Sequence, residues 1–305
     1  MLRLPQPTAA WPLDGTSAAA YGGAAATLHG ACAQPWTEGP TNGSKALRVA
    51  RSCYASVNNA PSLALGAGSL SACVRLRTST LGATLLAKLR VGAAGFAVEV
   101  AEGGRGLGVA LADTLGTSVY EEVGRVALAD GRWHHACVVL QRWGAAQLSV
   151  YIDGRPSDSL RLDGSRLARL GSVDSEAPLL LGRRTPPVGE DATGARSAAE
   201  VVALCDVAIW SRALLPEHVA ALAQNGLPPP RRRRAPMVRP GLSAVADDSS
   251  APRMLVPRFS SVGAWTAPSA LLVLAVVAAG AGVCWSAPLK RRCRTFIAST
   301  RSTEV

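Results

Sequence analysis

Ahead of Pro228 the chain consists of short apolar runs cut by Gly, Pro, Asp, Asn and Ser, at intervals too short for strands to alternate with helices. That punctuation restricts the folded part to an all-β sandwich, in which each short strand buries a face against a second sheet. The plainest strand is Leu148-Ser149-Val150-Tyr151-Ile152, where Leu148, Val150 and Ile152 share one face and Asp153-Gly154 supplies a tight hairpin turn. Asp130-Gly131 leads into Trp133–Leu140, an unbroken apolar run that suits a strand covered on both faces. Further strands are expected at Leu70–Leu76, Ala83–Leu89, Phe96–Val100, Leu107–Leu111, Pro178–Leu181 and Val201–Trp210, enough for two sheets. One helix is expected after Leu215, because Pro216 fits a first helical position, Glu217 the positive end of the dipole, and Asn225-Gly226 a stop. Leu215 stands where a capping Ser or Asp is usual, so this helix should owe its stability to packing.

The net charge of +11 is unevenly placed: residues 1–226 carry 20 Lys+Arg against 18 Asp+Glu, whereas residues 227–305 carry 12 against 3. The basic character belongs to a tail, and the folded part has no face for nucleic acid. Of seven cysteines, Cys32, Cys53, Cys73, Cys137 and Cys205 lie in the folded part, and no CxxC or Cys/His metal spacing occurs. Cys73, Cys137 and Cys205 sit inside strand-like runs and read as buried free thiols. Cys32 and Cys53 lie beside Gly, Ser or polar residues; in an oxidising compartment they would close a loop of about 20 residues, a disulfide worth about 3 kcal/mol.

The order of motifs resembles the LamG-like jelly rolls of the concanavalin A-like lectin/glucanase superfamily. The resemblance is carried by Trp11-Pro12-Leu13-Asp14-Gly15, Ala46-Leu47-Arg48-Val49, Asn59-Ala60-Pro61-Ser62-Leu63 and Leu70-Ser71-Ala72-Cys73-Val74. It continues through Asp130-Gly131-Arg132-Trp133-His134-His135, Val150-Tyr151-Ile152-Asp153-Gly154 and Leu181-Gly182-Arg183-Arg184. It ends at Asp206-Val207-Ala208-Ile209-Trp210-Ser211-Arg212-Ala213-Leu214 and the Pro216-Glu217 helix. The resemblance implies a two-sheet jelly-roll sandwich with binding loops at a rim. Cys73 departs from it, since the family usually has a tryptophan in that strand, and the core there should be repacked.

Such folds include glucanases as well as binding modules, so only the site can decide. Retaining glycosidases need two carboxylates about 5–5.5 Å apart, and glucanases of this superfamily set them on alternate residues of one strand. No Glu-x-Asp-x-x-Glu run occurs here. Glu99 and Glu102, and the adjacent Glu121-Glu122, would face opposite ways on a strand and read as solvated surface residues. The neighbours His134 and His135 would likewise diverge, which argues against one shared metal ion and for a structural histidine beside Trp133. Asp14, Asp153 and Asp206 read as turn and strand-end residues. No dense acidic loop supports calcium, no other cofactor is required, and the metal site, if the chain has one, stays unassigned. No catalytic residue is expected.

After Gly226 the composition changes to Pro228-Pro229-Pro230, Arg231-Arg232-Arg233-Arg234 and a Ser-, Pro- and Asp-containing stretch, which reads as a disordered stalk. The four arginines are open to three readings: a basic proteolytic site, a nuclear signal, or solvated charge. Ser269 to Trp285 contains no charge, and Trp265 and Trp285 bracket a segment that at 1.5 Å per residue spans about 30 Å, the thickness of a bilayer's hydrocarbon core. Lys290, Arg291, Arg292 and Arg294 follow it, which places the C-terminus in the cytosol. The sandwich would then be lumenal or extracellular, with Asn42-Gly43-Ser44 a glycosylation site. Cys284 and Cys293 would be palmitoylation sites or plain thiols. Met1–Leu13 lacks the apolar core of a signal peptide, so either the start lies upstream or the chain is tail-anchored with a cytosolic sandwich.

The expected organisation is an N-terminal segment (1–9), a LamG-like sandwich (10–226), a Pro/Arg/Ser-rich linker (227–264), a transmembrane helix (265–289) and a basic cytosolic tail (290–305). The expected function is that of a single-pass cell-surface protein presenting a lectin-like, non-catalytic domain to a glycan or an extracellular protein, with the lipid bilayer as its second partner. The alternatives are a spacer domain without ligand and, last, a glycoside hydrolase of the same fold.

Overall fold

The structure, a computed structural model, describes residues 3–22, 24–50, 52–90, 92–144, 146–161, 169–184 and 201–229. In chain order the strands are β1 (Ala9–Trp11), β2 (Thr27–Gly30), β3 (Trp36–Glu38), β4 (Lys45–Ala50) and β5 (Cys53–Val57). They continue as β6 (Leu70–Thr78), β7 (Thr84–Leu89), β8 (Gly95–Val100), β9 (Arg105–Ala112) and β10 (Ser118–Ala127). The last are β11 (Trp133–Gln141), β12 (Gln147–Ile152), β13 (Arg155–Arg161), β14 (Leu179–Leu181) and β15 (Val201–Trp210), and the helix α1 covers Pro216–Asn225. The strand order is β10-β9-β8-β7-β14-β5-β4-β15-β6-β11-β12-β13, with β2 on β5, β3 on β4 and β1 on β15.

Only Ala50 and Cys53 pair between β4 and β5, so the path folds over at that hairpin into two layers. One layer runs from β10 to β5, the other from β4 to β13, and β10 packs against β12 and β13 where they meet. Among the described residues every pairing is antiparallel, and the alternation of side chains sends one face of each layer inward. Phe96, Val98 and Val100 of β8, Leu107, Val109 and Leu111 of β9, and Val138, Leu140, Leu148 and Val150 of the opposite layer form the shared core.

Trp133–Gln141 is covered on both faces, as its unbroken apolar run implied: Ala136, Val138 and Leu140 enter the shared core, and Cys137 and Val139 pack beneath α1 with Tyr151, Trp210, Val219 and Leu222. The helix starts at Pro216 and has no side-chain cap from Leu215; His218 Nδ1 instead accepts the Leu215 N–H at 3.3 Å. Its buried residues are Val219 and Leu222, so packing holds it.

The cysteines need one correction. Cys73 and Cys137 are not free thiols, because the β6–β11 register sets them opposite each other with Cα atoms 4.1 Å apart, and they are joined as a disulfide. The bridge fills the position where a repacked core was expected. Cys32 and Cys53 are bridged as well, and Cys205 is a free thiol whose burial pushes its pKa up to about 12. Among the described residues no helix is long and apolar enough to cross a membrane. The expected transmembrane segment, Arg231–Arg234, Cys284 and Cys293 lie outside the described residues.

Candidate functional site

The outer face of the β10–β5 layer carries a group of polar side chains that the mechanical needs of the fold do not explain. With Phe96, Val98 and Val100 turned inward, β8 sends Ala97 and Glu99 outward; with Leu107, Val109 and Leu111 inward, β9 sends Gly108, Ala110 and Ala112 outward. The register then lines up Glu99, Gly108 and Glu122 across β8, β9 and β10. Gly108 has no side chain, and the Tyr120 hydroxyl occupies the gap: a Cβ at Gly108 would lie 2.5 Å from Tyr120 Oη and 3.0 Å from Glu99 Cγ. Tyr120 donates to Glu122 Oε1 at 3.2 Å, and the same oxygen accepts the Glu102 N–H at 3.1 Å. Burial, with the charges of Glu99 and Glu122 beside it, drives the phenol's pKa well above its ordinary value.

Glu99 corrects the expectation of a solvated carboxylate: it is 5% exposed, with Arg184 Nη1 3.9 Å from its Oε2. Arg183, the residue before, turns to a second group on the same face. Its guanidinium lies 4.7 Å from the Tyr54 ring, which stacks on His29 at 5.0 Å and 19°. His29 Nε2 is 2.7 Å from Ser56 Oγ. Both arginines leave β14 through Gly182, whose φ of 75° and position against Val49 Cγ2, 2.1 Å from where a Cβ would stand, admit no side chain. Between the two groups the surface is paved with Ala87, Ala97 and Ala110, with Leu89 at its edge. The result is a platform of small residues with an acidic, tyrosine-bridged group at one side and an aromatic stack under an arginine at the other. Such a surface can hydrogen-bond hydroxyls through its carboxylates, phenol and guanidinium.

The histidines diverge as their spacing implied. His134 lies between Asp153 and Asp130, with Nδ1 2.9 Å from Asp153 Oδ2 and Nε2 3.2 Å from Asp130 Oδ1. His135 is buried, its Nδ1 has no hydrogen-bond partner, and desolvation reinforced by Arg75 lowers its pKa to about 4. Cys73, His135 and Cys137 cluster, a juxtaposition the β6–β11 register makes and linear spacing hides; with both sulfurs bridged, only the imidazole can offer a ligand. Asp153 and Asp206 adopt positive φ at turn and strand-end positions, Asp153 Oδ1 accepts the His135 N–H, and Asp14 Oδ1 accepts the Lys45 N–H. Asn42 is exposed in the turn between β3 and β4, where Ser44 Oγ donates to Thr41 O.

Residues 50–220, more than half of the chain, match the laminin G type of the concanavalin A-like lectin/glucanases superfamily. A relative is human pentraxin-4, 33% identical over 111 residues, a match that takes in 36% of this chain and 21% of the pentraxin. Solved structures of similar fold include the binding domain of Paraclostridial Mosquitocidal Protein 1, with a TM-score of 0.52 at 13% identity over 72% of this chain and 52% of that one. The botulinum neurotoxin DC binding domain in complex with SialylT gives a TM-score of 0.51 at 11% identity over 72% and 51%. The chain thus spans about half the length of these solved chains and about a fifth of the pentraxin, and the identities speak for fold alone in the two toxins. On its motifs, its two antiparallel layers and the match over residues 50–220, the chain belongs to the concanavalin A-like lectin/glucanase superfamily.

Proposed function

We propose that this chain is a non-catalytic recognition protein that binds a glycan, or a glycan-bearing protein, on the outer face of the β10–β5 layer. The carrying observation is the platform itself: Glu99, Tyr120 and Glu122 on one side and Arg183, Tyr54 and His29 on the other, over a floor of alanines. Fixed polar groups set around a floor of small residues can hold the hydroxyls of a sugar ring. The relatives' names support binding of this kind, since the toxin structures are binding domains and one is a complex with SialylT.

Hydrolysis is disfavoured by the same geometry. A glycosidase needs the space between its two carboxylates for the scissile bond or a water, and here the Tyr120 hydroxyl fills the gap over Gly108 while Arg184 pairs with Glu99. Display from a membrane, with the sandwich outside the cytosol and Asn42 glycosylated, is part of the proposal and rests on the charge-free segment Ser269–Trp285 and the basic residues after it. The test is a glycan array probed with the full chain beside Tyr54→Ala and Tyr120→Ala. Binding by the full chain that either substitution weakens at least tenfold supports the platform. Silence on the array and in a protein pull-down would favour a spacer domain.

A further inference from the structure

The end of the sandwich away from Glu99 carries a feature that glycan recognition on the platform does not use. Two neighbouring hairpins, β9–β10 (residues 113–117) and β11–β12 (residues 142–146), each contain one ionisable residue at the start of the turn, and both are drawn inward to the same point. Asp113 is 3% exposed; its Oδ1 accepts the N–H groups of Leu115 (2.9 Å) and Thr117 (2.7 Å), and its Oδ2 accepts that of Gly171 (2.8 Å). Arg142 donates through Nη1 to the carbonyls of Leu170 (2.6 Å) and Gly171 (2.7 Å), and its Nε and Nη2 are buried too. Asp174 and Glu176, further along the same loop, are engaged with the Gly66 N–H and Asn59 Nδ2.

With the charges folded back, what the hairpins present is apolar. Leu115 is 82% exposed and Trp143 is 73% exposed, and the two tips meet through Gly171, where a Cβ would stand 3.6 Å from Leu115 Cδ1. From this the geometry points to a lipid-dipping tip: Leu115 and Trp143 enter the interfacial region of a bilayer while Asp113 and Arg142 brace the two turns from inside. A sugar would need donors and acceptors reachable beside the indole; Asp113 and Arg142 Nη1 are spent on Leu170 and Gly171, and Arg142 Nε and Nη2, which have no partner among the described residues, are buried out of a ligand's reach. A protein would need a complementary patch of about 1,000 Å² in total, more than one leucine and one tryptophan on adjoining turns supply. A bilayer interface asks only for an uncharged protrusion ending in an aromatic and an aliphatic group. The proposed membrane display supplies the surface, since the apolar segment read at Ala267–Leu289 would bring the chain to it.

The test uses the full chain with phosphatidylcholine vesicles whose acyl chains are brominated to quench tryptophan. Subtracting the signal of Trp143→Phe from that of the wild type isolates Trp143 from the six other tryptophans. The difference signal is expected to be quenched, equally at low and high salt because no charge takes part. Leu115→Ser should weaken that insertion roughly tenfold, the effect of losing one buried aliphatic side chain. Both residues are exposed, so the variants should keep the wild-type circular dichroism. An unquenched difference signal overturns the proposal, and if Trp143→Ser also abolishes glycan-array binding the tip is a sugar platform instead. Flotation of the full chain with the vesicles reports separately on the apolar segment, so a failed tether and a failed tip give different results.

Discussion

Arg75 Nε lies 3.0 Å from Asp206 Oδ2, and the same guanidinium reaches beyond the carboxylate to the end of α1, where Nη2 donates to the carbonyls of Ala223 (2.6 Å) and Leu222 (3.3 Å). One side chain thus neutralises a strand-end aspartate, satisfies the Ala223 carbonyl at the open end of the helix, and shares the Leu222 carbonyl with the Gly226 N–H. Arg75→Leu is expected to cost about 3 kcal/mol in urea unfolding, and Arg75→Leu with Asp206→Asn less than that, because much of the penalty is the carboxylate left behind. Burial already raises the Asp206 pKa against the pull of Arg75. A raised carboxyl holds its proton more tightly folded than unfolded, so stability falls as pH rises through the unfolded value toward the folded one. In Arg75→Leu that fall should be steeper and extend to higher pH.

His135 gives a pH dependence of opposite sign. Its folded pKa of about 4 lies below the ordinary imidazole value, first through desolvation and then through Arg75. Between about pH 6.5 and pH 4 the unfolded chain takes up a proton that the folded chain refuses, so stability is full above this window and declines as pH falls through it. The loss should amount to roughly 3 kcal/mol. His135→Leu, which also removes the unpartnered Nδ1, should flatten that part of the stability profile when unfolding midpoints are compared at pH 7 and pH 4.5.

Strands with clean alternation or unbroken apolar runs are legible in the sequence: Val201–Trp210 appears as expected to the residue, and Trp133–Gln141 is double-faced as expected. Ser118–Ala127 is not, because it is an edge strand with mostly exposed side chains, and only Val123 of it is buried. The site was illegible for a related reason. Glu99 and Glu122 lie on strands separated by β9, and only the register of three strands brings them to one tyrosine. The single local clue is Gly108 inside a strand-like run, a residue that often marks close approach by another group. The Cys73–Cys137 bridge was hidden in the same way, since burial explains each cysteine alone and only pairing explains both.

The two disulfides should differ in worth by the loops they close. Cys73 and Cys137 are 64 residues apart and Cys32 and Cys53 are 21 apart, so loop-closure entropy gives about 4 kcal/mol for the first bridge and about 3 kcal/mol for the second. Cys73→Ala with Cys137→Ala should therefore lower the unfolding midpoint more than Cys32→Ala with Cys53→Ala. The first pair also lies beneath α1 among Tyr151, Trp210 and Leu222, where alanines leave the packing short of two sulfurs. Guanidinium unfolding of both double variants under non-reducing conditions measures the order.

The contact between Gly108 and Tyr120 offers the sharpest test of the platform, because a single methyl group addresses it. In Gly108→Ala the new Cβ would stand 2.5 Å from Tyr120 Oη, and the phenol can swing outward since Tyr120 is 44% exposed. The backbone of Gly108 is not in the left-handed region, so the fold should survive and the unfolding midpoint should change little. Released from Glu99 and Glu122, the phenol loses both the burial and the adjacent negative charge that raise its pKa, and should titrate nearer its ordinary value. Ultraviolet titration can read this, as the chain has four tyrosines and Tyr120→Phe identifies the one that moves. If the platform binds sugar through the bridged carboxylates, Gly108→Ala should weaken binding as Tyr120→Ala does, with stability preserved. An unchanged titration would mean that Tyr120 does not lie over Gly108 in solution.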